Sequence, residues 1–264
     1  MSDKLILYNI PSKVDTWSGS VAKVKYLLDA NNISYETVWV PFNKIGETLA
    51  ARGIKPNPEP PLYTLPAITI GDLTISDSSK IVKYFIENQD DLIKKGILKD
   101  EFKAYNDLVT PEFFQYFENF IIKSEPLHDL IYKLLLANEV HLLNDEDQQP
   151  FIESRLIKGV DIPAIERQAK ELNIARIWEN ATNFLNRDLK ESFNYPGLQR
   201  DKFLTGKFVY GDELTWADIL FFTRFNHLEE LAKANVEYSK IPENGLVDSE
   251  WIKAWIKRVE DIIN

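Results

Sequence analysis

The chain of 264 residues contains no cysteine and only three histidines. Without cysteine it cannot form a disulfide, a thiolate–metal site or a Cys-x-x-Cys redox centre, so any thiol in its chemistry must arrive with a substrate. The histidines, His128, His141 and His227, do not have the spacing of a metal site, and we predict that no metal is bound.

Positive charge and long apolar runs are scarce as well. The 41 acidic residues outnumber the 31 basic ones, and the net charge of −10 disfavours nucleic acid as a partner because its phosphates would be repelled. No run approaches the ~20 apolar residues of a membrane span, and the first residues lack the apolar segment of a signal peptide. We therefore expect a cytoplasmic protein without a membrane or nucleic-acid partner.

The hydrophobic residues that are present are enough for a folded protein of two modest domains or one large one. They make up 44% of the chain, which is enough to fill two modest cores. Over residues 1–88 their periodicity alternates between that of strands and that of helices and predicts the order βαβαββα. The predicted strands lie at 5–9, 35–40, 67–70 and 73–75, and the predicted helices lie at 21–30, 44–52 and from 78 onward.

The remainder of the chain has a different pattern. A polar stretch at 88–91 marks the predicted boundary, and residues 89–264 show mostly helical periodicity, which predicts an all-helical second domain. The predicted helices lie at 99–122, 127–143, 163–190, 216–234 and 249–263. Because residues 144–150 are acidic and polar, we predict a loop there.

A hairpin and the helix that follows it contain the first informative motif. Pro66 precedes the third predicted strand, and the turn after that strand contains Gly71. Asp77 and Ser78 then open a helix, where unpaired N–H groups and a partial positive charge suit a carboxylate ligand. Taken alone, this pair is more typical of a helix cap than of a ligand site.

The second motif is the sequence TWAD at residues 215–218. Thr215 and Asp218 are spaced as in a capping box, so we expect the Thr215 hydroxyl to accept a hydrogen bond from the Asp218 amide. The Asp218 carboxylate should accept one from the Thr215 amide in return. Apolar residues follow at 219–221, so the motif predicts the start of a core helix.

Together the two motifs resemble the glutathione transferase superfamily. Pro66 matches the cis-proline of its thioredoxin-like domain, and residues 215–218 match the folding box of its C-terminal domain. The resemblance implies an α/β N-terminal thioredoxin-like domain, an all-α C-terminal helical bundle and glutathione as cosubstrate. It also implies that Asp77 pairs with the γ-glutamyl amino group, that Ser78 binds the adjacent carboxylate and that the Leu65 backbone bonds the cysteinyl part.

The resemblance directs the search for a thiolate-stabilising group to the start of the first helix. An ordinary thiol has a pKa of about 8.5, and lowering it by about two units takes roughly 2.7 kcal/mol, within reach of a hydroxyl hydrogen bond and a helix N-terminus. The sequence at 17–24 resembles the family pattern Ser-Pro-x-x-x-(Lys/Arg)-Val and makes Ser18 the candidate, although Gly19 replaces the proline. Ser20 is the rival, in which case Ser18 is only a helix cap, and Tyr8 is a third candidate.

Three further stretches, at 7–18, 35–40 and 61–66, look like the etherase-related glutathione transferases, which include fungal FuA-type members and, more distantly, bacterial β-etherases. This implies a serine-type detoxification enzyme whose glutathione thiolate attacks an aromatic or ether electrophile, by conjugation or β-ether cleavage. It also implies a possible homodimer and a small aromatic acceptor, bound near the aromatic residues at 113–120. The alternative is a ligand-binding or regulatory protein of the same fold with little turnover.

Overall fold

The computed structural model describes residues 4–100, 102, 116, 138–170, 201, 203–234 and 249–264. Contacts between residues divide the chain into two compact units. The first comprises Met1–Tyr105, Leu143–Ser154 and Ile262–Asn264, and the second comprises Asn106–Leu142 and Arg155–Asp261. The domain boundary after residue 88 stays a prediction.

A four-stranded mixed sheet forms the centre of the first unit. Its strands are β1 (Leu5–Asn9), β2 (Tyr35–Trp39), β3 (Ala67–Ile70) and β4 (Leu73–Ser76), in the order β2-β1-β3-β4. Strand β1 runs parallel to β2 and antiparallel to β3, and β3 and β4 form a hairpin. The central strands β1 and β3 have almost all of their side chains buried, because helices cover the sheet.

The helices of the first unit alternate with these strands as the periodicity predicts, which confirms the α/β fold. Helix α1 buries Val21, Val24 and Leu27 completely, and helix α3 buries Ile81 and Phe85 in the same way. These positions recur every three or four residues, so each helix presents one apolar face to the core. The helices are α1 (Gly19–Ala30), α2 (Ile45–Ala50), α3 (Ser78–Glu87), α4 (Gln89–Lys94) and α5 (Asp145–Leu156), the last lying mostly in this unit.

The prediction of a loop at 144–150 is wrong. Helix α5 begins at Asp145 and continues through Pro150. Its first turn contains acidic residues at 145–147, and the partial positive charge of a helix N-terminus favours exposed acidic side chains such as those of Asp145 and Glu146. The polar break predicted at 88–91 is also mostly helical. Helix α3 ends at Glu87, and α4 begins at Gln89 with acidic residues in its first turn. A short acidic run is therefore compatible with a helix start as well as with a loop.

The regular elements that the structure describes in the second unit are all helices, and residues 203–215 form turns and isolated bridges. It contains α6 (Ile162–Lys170), α7 (Trp216–Ala234) and most of α8 (Glu250–Ile263), and residues 138–142 are also helical. Helices α7 and α8 confirm the predictions at 216–234 and 249–263. The other predicted helices lie largely outside the described residues, as do the aromatic residues at 113–120 apart from Tyr116. None of the described helices combines the length and apolarity needed to cross a membrane.

A fully buried carboxylate, that of Asp218, joins three segments of the second unit. Its Oδ2 accepts hydrogen bonds from the amide and the hydroxyl of Thr215, both at 2.8 Å. Its Oδ1 accepts from the Val209 amide and the Trp255 indole N–H, again at 2.8 Å. The predicted capping box is therefore half right, because the Thr215 hydroxyl donates to the carboxylate instead of accepting from the Asp218 amide. Burial raises the pKa of Asp218, and the four hydrogen bonds oppose that rise.

Candidate functional site

The candidate residues gather at one edge of the sheet. The register pairs Tyr8 of β1 with Ala67 of β3, and Ala67 with Ser76 of β4. The end of β1, the start of β3 and the end of β4 therefore lie side by side. Because β1 and β2 are parallel neighbours, helix α1 runs back along the sheet, and its first turn lies at the edge where β1 ends.

The chain enters β3 at this edge through Leu65 and Pro66, both of which are buried. The peptide bond between them is cis, as the resemblance implies. The Pro66 carbonyl accepts a hydrogen bond from the Asp77 amide at 3.1 Å, and the Ser76 hydroxyl donates to the Thr64 carbonyl at 3.0 Å. These bonds hold the start of β3 directly beside the start of helix α3.

Helix α3 begins with the predicted cap. Asp77 is its N-cap residue, and its Oδ1 accepts hydrogen bonds from the amides of Ser79 at 2.9 Å and Lys80 at 3.1 Å. Oδ2 takes part in neither bond, and the side chain is exposed to solvent. The φ angle of +89° is unusual for a residue with a side chain, and such outliers concentrate at ligand sites. Ser78, half-buried, is the first residue of the helix.

Ser18 occupies the N-cap position of helix α1, but its side chain makes no capping hydrogen bond. Its carbonyl accepts the Ala22 amide at 2.9 Å, so the backbone at this point is held by the helix while the hydroxyl is not used by it. The side chain is half-buried, whereas that of Ser20 is exposed. Ser18 is therefore the N-cap residue of α1 by position, but its hydroxyl does not cap the helix.

Tyr8, the third candidate, is completely buried. Its hydroxyl lies 3.1 Å from the Thr69 hydroxyl, which in turn lies 2.9 Å from the Thr74 hydroxyl. The Arg52 guanidinium lies 5.4 Å from the centre of its ring. These contacts favour the interpretation of Tyr8 as a packing residue of the sheet.

The sequence analysis did not identify Asn9, which organises the loop between β1 and Ser18. Its Nδ2 donates to the Thr16 hydroxyl at 3.1 Å, and its Oδ1 accepts from the Ile10 amide at 2.8 Å. Both Asn9 and Thr16 are buried, so these hydrogen bonds satisfy polar groups that solvent does not reach. A polar residue at the end of an apolar strand is the signal that could have identified it.

A second residue that the sequence analysis missed is Asp147 in the first turn of α5. It is 1% exposed, and its Oδ1 accepts a hydrogen bond from the Phe42 amide at 2.6 Å. Burial raises the pKa of this carboxyl above the ordinary value of 3.8, and the bond from Phe42 only partly offsets the rise. The segment around β2 and α2 is thereby tied to α5 within the first unit.

The pH dependence of stability tests this burial. Because the pKa of Asp147 is higher in the folded protein than the unfolded value of 3.8, the folded state favours the protonated carboxyl. The contribution of Asp147 to the free energy of unfolding is therefore complete below pH 3.8 and is lost as the pH rises through the pKa of the folded protein. Asp147→Asn removes this titrating group, so the variant does not lose that contribution as the pH rises. The free energy of unfolding of the variant minus that of the parent should therefore increase between pH 3.8 and the pKa of Asp147 in the folded protein. Urea unfolding at several pH values measures the difference, and Asp145→Asn, at an exposed neighbour, is the control. A difference that does not change with pH would contradict the prediction.

Comparison with known proteins identifies the class of domain at this edge. Residues 16–92, which include every candidate from Ser18 to Ser78, match the family model described as glutathione S-transferase, N-terminal domain. No curated protein sequence matches the chain.

Solved structures extend the likeness to the whole chain. Glutathione transferase GSTFuA3 from Phanerochaete chrysosporium is 20% identical, with a TM-score of 0.68 over 99% of this chain and 98% of that one. GSTFuA2 from the same fungus is 20% identical, with a TM-score of 0.70 over 100% and 99%. The glutathione S-transferase CsGST63524 of Ceriporiopsis subvermispora, solved in complex with glutathione, is 20% identical, with a TM-score of 0.67 over 98% of each chain. The resemblance of residues 16–92 to the N-terminal domain of glutathione S-transferases is therefore confirmed, and the chain has the fold of these fungal FuA-type transferases, as the resemblance implies.

Proposed function

We propose that this protein is a glutathione transferase in which the Ser18 hydroxyl stabilises the glutathione thiolate. The observation that carries the proposal is that the Ser18 hydroxyl makes no capping bond to α1. The connection from β1 through α1 to the parallel strand β2 puts the start of this helix at the end of the sheet where β3 begins. A protein that used Ser18 only as a helix cap would have that hydroxyl bonded to an amide of the first turn.

The chemistry follows from the two helix N-termini at this edge. The hydroxyl of Ser18 donates a hydrogen bond to the glutathione sulfur, and the first turn of α1 adds its partial positive charge, so both favour the thiolate over the thiol. The thiol proton leaves to solvent. The sulfur then attacks an electrophilic carbon, a carbon–sulfur bond forms, and the leaving group departs with its electron pair.

The other end of glutathione would lie at α3. In the proposal, Oδ2 of Asp77 pairs with the γ-glutamyl ammonium, since Oδ1 already accepts both capping bonds. Ser78 and the N-terminus of α3 bind the glutamyl carboxylate, which a helix N-terminus favours. The Leu65 backbone, beside the cis peptide bond, would bond the cysteinyl part.

The narrower parts of the proposal rest on the resemblance to FuA-type transferases. They are a small aromatic compound or aryl ether as the acceptor, a cytoplasmic homodimer and a role in detoxification. Turnover of glutathione with a chlorodinitrobenzene and with a β-aryl ether tests the acceptor class, since an etherase-like enzyme should release the phenol of the second compound. Isothermal titration of glutathione into the purified chain tests the central claim, and an absence of binding heat would reject it.

Removing the charge of Asp77 should weaken glutathione binding. Asn caps helices as well as Asp does, so Asp77→Asn keeps the start of α3 intact while removing the carboxylate that pairs with the ammonium. We expect the dissociation constant of glutathione to rise about tenfold, as for one charge-assisted hydrogen bond. Calorimetry gives the constant directly.

The same measurement applies to the neighbouring serine. Ser78→Ala should raise the dissociation constant about fivefold through loss of a hydrogen bond to the carboxylate. Ser79→Ala is the matched control, because Ser79 is exposed one position further along the helix and has no assigned ligand contact. If Asp77→Asn and Ser78→Ala both bind glutathione as the parent does, the assignment of α3 to the glutamyl end is wrong.

A further inference from the structure

Asp147 is an unfavourable residue for the position that it occupies. The carboxylate is buried and accepts a single hydrogen bond through Oδ1, while Oδ2 has no hydrogen-bond partner among the described residues. Burying a charge with so little compensation costs stability, and an apolar residue of similar size would often be more stable there. A role other than stability would explain why an acidic residue stands at this point.

A continuous path of contacts leads from Asp147 to the candidate thiolate donor. The Phe42 amide donates to Asp147, and the Phe42 ring packs edge-on against Phe151, with 5.5 Å between ring centres. Phe151, one turn after Asp147 in α5, packs edge-on against Trp17 at 5.6 Å. Trp17 is buried and directly precedes Ser18. Every residue on the path belongs to the first unit.

The same segment contacts the loop at a second place. Ser12 forms a β-bridge with Leu143, and Lys13 pairs with Asp145 at 2.9 Å. The ion pair is exposed and contributes little, so among the side-chain contacts between α5 and the loop the buried packing of Trp17 on Phe151 contributes most, in addition to the hydrogen bonds of Asn9 within the loop. The indole N–H of Trp17, like Oδ2 of Asp147, is buried without a hydrogen-bond partner among the described residues. Among the described residues, the indole that precedes Ser18 is therefore held by packing.

We propose that Asp147 is a positioning residue for the Ser18 loop, defined as residues 10–18. By binding the Phe42 amide it fixes Phe42 and Phe151 against Trp17, and Trp17 fixes the start of α1, where the proposed function puts the Ser18 hydroxyl beside the glutathione sulfur. The kinetic part of this inference rests on the proposed function. The structural part, that Asp147 holds the loop, does not require glutathione.

The experiment compares three variants with the parent. Asp147→Ala removes the hydrogen bond to Phe42, Asp147→Asn keeps its acceptor and removes the charge, and Glu146→Gln changes an exposed neighbour in the same turn. Amide hydrogen exchange of residues 10–20 without glutathione is the first measurement, with α3 as the internal reference. The second is steady-state conjugation of glutathione with a chlorodinitrobenzene, together with the pKa of the bound thiol from the absorbance of its thiolate.

We expect faster exchange in the Ser18 loop of Asp147→Ala, while exchange in α3 stays unchanged. A displaced catalytic group lowers the rate, so kcat should fall roughly tenfold, with KM for glutathione within about twofold of the parent. The pKa of the bound thiol should rise. Asp147→Asn should be close to the parent in loop exchange, kcat and thiol pKa, because it still accepts the hydrogen bond from Phe42. Glu146→Gln should match the parent. A general loss of stability would not produce this pattern.

Two outcomes separate the inference from the proposed function. If Asp147→Ala is folded and matches the parent in loop exchange and in kcat, the positioning role is rejected while the proposed function stands. If the parent shows no binding of glutathione, the proposed function is rejected, and loop exchange alone decides whether Asp147 holds the loop. Should Asp147→Ala fail to fold, Phe151→Leu interrupts the same path with Asp147 intact. Unchanged loop exchange in that variant would overturn the inference.

Discussion

Replacing Ser18 with alanine is expected to lower kcat for glutathione conjugation roughly thirtyfold, which corresponds to about 2 kcal/mol for a hydrogen bond to a charged group. The hydroxyl bonds the sulfur only when the sulfur is ionised, so its loss raises the pKa of the bound thiol and reduces the thiolate available at neutral pH. The glutamyl end, bound at α3, is unaffected. The dissociation constant of glutathione should therefore stay within about threefold of the parent value.

The pH dependence of the rate distinguishes this mechanism from a general loss of activity. The thiolate is the nucleophile, so the rate rises with pH through the pKa of the bound thiol. In Ser18→Ala that rise should move to higher pH, and the activity should approach that of the parent in alkaline solution. Ser20→Ala is the matched control, because Ser20 is exposed at the second position of α1. A folded Ser18→Ala variant with unchanged kcat and an unchanged profile would reject the assignment, and the same loss in Ser20→Ala would transfer the role to Ser20.

The edge formed by β3, β4 and α3 could be predicted from the sequence because its signals are local. Pro66 before an apolar run, Gly71 in a turn and Asp77 at a helix start each specify the backbone within a few residues. The register follows once the hairpin is placed, because the type and length of the turn at Gly71 fix which residues of β3 and β4 pair. Ser18 lies at this edge because its helix connects two parallel strands.

The residues that the sequence analysis missed act over longer distances. Asp147 and the Phe42 amide are 105 residues apart, and no local pattern distinguishes a carboxylate that caps a helix from one that is buried against another segment. The same difficulty affected Thr215. Because the Trp255 indole, 37 residues away, also bonds Asp218, the carboxylate collects several donors and draws the Thr215 hydroxyl to itself. Tertiary contacts of this kind override the local capping pattern.

Replacing Asp218 with alanine is expected to destabilise the second unit by about 4 kcal/mol, since it leaves four buried donor groups without their acceptor. Trp255 and Val209 belong to different segments from α7, so the variant loses the bonds that connect those segments to the start of the helix. Urea unfolding monitored by circular dichroism measures the change, and the variant should unfold at a lower midpoint concentration of urea. Asp218→Asn should give an intermediate loss, because one amide oxygen still accepts while the NH₂ group faces two donors.

The matched control for Asp218 is Asp212, an exposed aspartate in the same segment of the second unit. Its carboxylate accepts one amide hydrogen bond, from Lys207 at 3.2 Å, and solvent can replace that bond when the side chain is removed. Asp212→Ala should therefore change the free energy of unfolding by less than about 1 kcal/mol. If Asp218→Ala also changes the free energy of unfolding by less than about 1 kcal/mol, the buried carboxylate does not hold the segments of the second unit together. Its four hydrogen bonds would then contribute little to stability.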